Sequence, residues 1–77
     1  MAWVVSVNRE DGKGKLQPTQ VIAHAKIFQT DGHRIVQIDT FGSEDRENPG
    51  KQSQTLQFGK ESARQLFDVL KDTYGFE

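Results

Sequence analysis

Two histidines and a scatter of aromatic and basic side chains are the groups in this 77-residue chain that could do chemistry. A hydrolytic site would need a nucleophile, a base and an orienting acid within mutual reach. His24 can be placed across a strand pair from Asp39, with Ser53 or Thr55 imagined nearby. No nucleophile-elbow glycine pattern surrounds either hydroxyl. The plainer reading is a cross-strand polar pair, contributing at most about 1 kcal/mol. His24 and His33 have no HxH or HExxH spacing, so they do not read as a metal site. The run Gly12-Lys13-Gly14-Lys15 has phosphate-loop residues but no helix after it. It reads either as a solvated turn or, with Arg9, as a basic finger touching phosphates. In the loop Gly42 to Lys51, Arg46 and Lys51 sit among Glu44, Asp45 and Glu47. These charges either pair with one another or present Arg46 and Lys51 to an anionic partner.

One set of residues has a more distinctive character. Phe28 and Phe41, interleaved with His24, Lys26 and Gln37, outline a stacking platform. Single-stranded nucleic acid binds where rings stack bases and cations follow the backbone, at about 1–3 kcal/mol per stacked base. The competing reading makes Phe28 and Phe41 core or dimer-interface residues.

The elements that must position these groups follow from periodicity. Ala2 to Val7 alternates, with Trp3, Val5 and Val7 on one side, and reads as a strand. Asn8 to Gln17 is a polar loop or loose hairpin tip closed by Pro18. Val21 to Thr30 and His33 to Phe41 flank Asp31-Gly32, a dipeptide suited to a type I′ hairpin. A two-residue loop fixes the register. Thr30 then faces His33, Phe28 faces Ile35, Lys26 faces Gln37, His24 faces Asp39 and Ile22 faces Phe41. The other face carries Ile27 with Val36, Ala25 with Ile38, and Ala23 with Thr40. Pro49-Gly50 signals a type II turn. Gln52 to Phe58 alternates again, with Leu56 and Phe58 on one side. Lys60 to Tyr74 places Ala63, Leu66, Phe67, Leu70 and Tyr74 on one helical stripe, with Gly59 as N-cap and Gly75 as stop.

Composition narrows the class. The chain fits one domain, 1–77, and has no cysteine, which excludes disulfides and thiolate metal sites. A chain this short has a thin core, so pairing with a second copy is expected. No apolar run approaches the roughly 20 residues of a membrane span, and no secretory leader pattern opens the sequence, so a cytoplasmic setting is expected. Net charge is −1, without the basic excess of a dedicated duplex-DNA binder. Residues 1–38 carry five basic and three acidic groups, and residues 39–77 five and eight.

The stretch Ile35-Val36-Gln37-Ile38-Asp39-Thr40-Phe41-Gly42-Ser43 is followed by a loop with Arg46, then Pro49-Gly50-Lys51, then Ser53-Gln54-Thr55-Leu56-Gln57-Phe58 and the helix. It resembles a group of small bacterial proteins of unassigned function. More distantly, over roughly residues 20–75, it is similar to the positive cofactor four family of transcriptional coactivators, which bind single-stranded DNA. The resemblance implies a curved four-stranded antiparallel sheet with one helix, dimers, and basic contacts at Lys51 and at Arg34 or Lys26. The acidic loop and the near-neutral charge depart from that family.

The expected fold is therefore α+β: a curved four-stranded antiparallel sheet in β-β-β-β-α order with one C-terminal amphipathic helix, paired as a homodimer. The expected function is non-enzymatic binding of single-stranded nucleic acid in transcription or repair. Arg9, Lys13, Lys15, Lys26, Arg34, Arg46 and Lys51 would contact phosphates. Phe28, Phe41 and Trp3 would stack on bases. Neither a cofactor nor a metal is expected. The alternative is a protein–protein interaction module or small regulatory subunit.

Overall fold

The computed structural model describes residues 1–42 and 52–77. Strands β1 (Ala2–Val4), β2 (Ile22–Thr30), β3 (His33–Phe41) and β4 (Gln52–Phe58) precede helix α1 (Lys60–Tyr74). The four strands form one sheet in the order β1-β4-β3-β2. The loop expected over Gly42 to Lys51, with its Pro49-Gly50 turn, lies outside the described residues from Ser43 on.

The hairpin forms in the register that its turn dictates. Asp31 and Gly32 both adopt positive φ, 48° and 78°, as a type I′ turn demands. All nine pairs from Ile22–Phe41 to Thr30–His33 follow. β3 pairs antiparallel with β4 as well, with a register shift between Thr40 and Phe41.

The N-terminal strand departs from expectation. It is shorter than Ala2 to Val7, and it pairs parallel with β4, Trp3 opposite Gln57. The sheet is thus mixed rather than antiparallel. The reason is topological. β1 and β2 occupy opposite edges and run the same way, so their link must return from one end of the sheet to the other. Such a crossover takes a dozen or more residues, and residues 5–21 provide it in place of a hairpin tip. Its first part descends beside α1: the Val7 N–H donates to Gln65 Oε1 at 2.7 Å, and the Arg9 guanidinium pairs with Asp72. Val5 and Val7 therefore serve this crossing rather than a strand.

Period two divides the sheet residues between two faces. Val36, Ile38 and Phe58 face the helix residues Leu66, Phe67 and Leu70. Gln37, Asp39, Thr55, Gln57, Lys26 and Trp3 occupy the opposite, polar face, because each lies one residue out of phase. α1 starts at Gly59, which offers no side-chain cap, and ends at Gly75 in the left-handed region (φ 71°), whose N–H donates to the Lys71 carbonyl at 2.8 Å. Among the described residues the buried apolar side chains are Ile35 and Phe58, one on each face.

Candidate functional site

The polar face is organised around a carboxylate. Asp39 is 4% exposed. Both its oxygens accept from Gln37 Nε2, at 3.0 and 3.1 Å. The Thr55 hydroxyl donates to Oδ1 at 2.8 Å. Gln57 Nε2 donates in turn to Gln37 Oε1 at 2.9 Å. The register explains the chain of contacts: Asp39 is the strand partner of Thr55, and Gln37 of Gln57. A buried carboxylate loses its hydration and holds its donors tightly in compensation. Asp39 thereby fixes the Gln37 amide, and Gln37 fixes that of Gln57. Two half-exposed amides are held in set orientations in the middle of the face.

Aromatic pairs flank this network at its two ends. At the turn end, Trp3 meets His33 edge-on, ring centroids 5.4 Å apart and planes at 71°. The indole nitrogen of Trp3 lies beside Gly59, 3.7 Å from where a Cβ on that residue would stand. At the other end His24 lies against Phe41, centroids 4.7 Å apart. Both histidines of the chain thus stand beside a ring. From His33 to Phe41 the strand spans roughly 26 Å. Trp3 is 52% exposed, and His33, His24 and Lys26 are all exposed.

Among the described residues the hydrolytic constellation does not assemble; the Ser53 side chain lies outside the described residues. His24 is the strand partner of Asp39, yet its ring is turned to Phe41, while the Asp39 oxygens take Gln37 and Thr55. The cross-strand polar pair is likewise replaced by this tilted ring contact, with planes at 53°. His24 and His33 lie at opposite ends of the hairpin, and no group of three metal-ligating side chains occurs among the described residues.

The basic and aromatic residues singled out from the sequence are divided by the fold. Lys26, Phe28 and Phe41 share the polar face, Phe28 opposite Ile35. Arg34, partner of Gln29, lies one residue out of phase and on the helix side. Arg9 is bound to Asp72 and near Asp11. Hydrogen bonding by Asp72, with the charge of Asp11, raises its pKa further above the ordinary arginine value. Lys13 and Lys15 are exposed on the crossover, and Arg46 and Lys51 lie outside the described residues. His33, Gln57 and the carboxylate network were missed. The signal for Gln57 was present in its alternation with Leu56 and Phe58. The approach of Trp3 to His33 depends on a parallel pairing that local pattern does not encode.

No protein-family model, curated protein or solved structure matches this chain.

Proposed function

We propose that the polar face binds single-stranded nucleic acid without catalysing a reaction, in a cytoplasmic transcription or repair setting. The observation that supports this most directly is the pair of ring contacts, Trp3–His33 and His24–Phe41, at the two ends of a hydrogen-bonded amide network. Exposed rings give bases a stacking surface that tolerates any sequence. The fixed amides of Gln37 and Gln57 offer hydrogen bonds to base edges between them. The distance between the ring pairs suits a segment of several nucleotides. In this reading the sheet curves around the strand, with the register shift at Thr40 and Phe41 supplying the local bend.

The charge pattern makes the proposal specific. Lys26 is the one lysine or arginine that the described strands bring to this face, and Lys13 and Lys15 can approach it from the crossover. Few phosphates are then neutralised. With about 0.7 counterions released per phosphate on a single strand, the slope of log K against log salt should lie near −1 to −2. Stacking should carry most of the affinity.

A fluorescence titration tests this, because Trp3 is the sole tryptophan. Adding an unlabelled single-stranded oligonucleotide at low salt should quench its emission, and Phe41→Ala should weaken binding by about 1–3 kcal/mol. Quenching by duplex as strong as by single strand, or none at tens of micromolar protein, rejects the reading.

A further inference from the structure

We propose that the cleft beside Trp3 takes the 3′-hydroxyl end of a nucleic-acid strand, one terminal nucleotide deep. This inference rests on the single-strand reading and adds to it which part of the strand is held at this place. The cleft has a volume of about 300 Å³ and lies where the sheet passes into the helix. Val5 lines it from the end of β1, His33 from the start of β3, and Lys60 and Glu61 from the first turn of α1. The rings of Trp3 and His33, which meet edge-on and are both exposed, form its aromatic lining. Small-ligand sites run from about 300 to 1,000 Å³. This one is at the lower end, sized for a single nucleotide and not for a run of them.

The charges of the cleft decide which nucleotide. Lys60 and Glu61 both line it, and among the described residues neither is engaged in an ion pair. A nucleotide inside a strand has a phosphate on each side of its sugar. The nucleotide at a 3′ end has a phosphate on one side and a hydroxyl on the other. An internal nucleotide would bring its second phosphate to the Glu61 carboxylate, and like charges repel. The terminal one matches both groups. Lys60 meets the single phosphate as a point charge. Glu61 accepts a hydrogen bond from the sugar hydroxyl, as an acidic side chain does for ribose in dinucleotide sites. The base lies against Trp3 and His33, where stacking tolerates any sequence. A 5′ end that carries phosphate is turned away on the same ground as an internal nucleotide.

Trp3 is the sole tryptophan and lines the cleft, so its emission reports on the site. Three single-stranded DNAs of one sequence are titrated at low salt: a 5′-phosphorylated strand with a 3′-hydroxyl, the same strand with a 3′-phosphate, and the strand closed into a circle. The 3′-hydroxyl strand should bind at least about fivefold more tightly than the circle, the contribution of one stacked base. A 3′-phosphate should weaken binding about threefold, the scale of an exposed charge pair. Glu61→Gln should abolish the difference between the two linear strands, which a merely structural role at the helix start would not do. Lys60→Gln should weaken the 3′-hydroxyl strand and leave the circle unchanged. A circle bound as tightly as the open strand overturns the inference and leaves the single-strand reading standing. So does a 3′-phosphate strand bound as well as the hydroxyl strand, or a difference that persists in Glu61→Gln. Equal weakening of every DNA in Lys60→Gln overturns it as well, because the lysine would then act outside the cleft. No binding of any of the three at tens of micromolar protein overturns both readings together.

Discussion

On the polar face, alternate residues of β3 and β4 hold one another by hydrogen bonds around Asp39; on the helix face, the residues between them are apolar and only partly covered. The same strands serve both. The polar face satisfies its buried groups internally, since no described buried side-chain nitrogen or oxygen lacks a partner. The helix face leaves Ile27, Leu56 and Phe67 substantially in water. Hydrogen bonds are directional and saturate within one chain, whereas apolar burial grows with every covered area. A 77-residue chain can therefore complete a polar network alone more readily than it can complete an apolar core.

The largest effect should come from the helix face. Phe58 is the buried aromatic beneath α1. Phe58→Ala should cost about 3–5 kcal/mol, on the order of the whole stability of a domain this size. Circular dichroism should show an unfolded chain at 25 °C, or a midpoint lowered to the edge of detection. A folded variant with a melting point within a few degrees of the parent would mean that the helix is not docked by Phe58.

The polar face should respond next. Asp39→Asn keeps the shape but replaces one acceptor with a donor, which meets the Gln37 amide whichever way the new amide is turned. The expected loss is about 1–3 kcal/mol, read as a lower urea midpoint at unchanged m-value. The Gln57 amide should also lose its fixed orientation, because its anchor at Gln37 is released. A neutral result would show that the carboxylate is not what orders the amides, and the contrast between the faces would fail.

Much of this was legible from local rules, and the limit falls where contacts become non-local. Asp31-Gly32 determined the nine-pair hairpin because a two-residue turn leaves the strands one register. The helix followed from a single apolar stripe between two glycines. The parallel pairing of β1 was not legible, because Ala2 to Val4 alternates equally well in either direction, and only the crossover beside α1 decides it. The site divides in the same way. Lys26, Phe28 and Phe41 were placed together by the hairpin alone. Arg34 was grouped with them by charge, although the same register puts it on the opposite face. Trp3 and His33 meet only once β1 is docked on β4.

A smaller effect tests the hinge that both faces share. Gly32 has φ 78°, and a Cβ there would touch nothing within 4 Å. Gly32→Ala thus adds backbone strain and no collision. The cost should be about 1 kcal/mol, with both faces retained. A loss several times larger, or broad amide resonances along β2 and β3, would show that the strands slip when the turn is strained.

The smallest effect separates the crossover from the sheet. Arg9 pairs with Asp72 and Asp11 at exposed positions, where ion pairs contribute little and are screened by salt. Arg9→Ala should leave the melting temperature within error at physiological salt. The hydrogen bond from the Val7 N–H to Gln65 Oε1 is half-buried, so Gln65→Ala should loosen the crossover more than Arg9→Ala does. Hydrogen exchange reports the difference directly. The Val7 amide should lose protection in Gln65→Ala and keep it in Arg9→Ala, while the amides of β3 exchange at the parent rate in both. If Arg9→Ala alone exposes the Val7 amide, the ion pair rather than the buried amide contact anchors the crossing to the helix, and the parallel docking of β1 depends on surface charge.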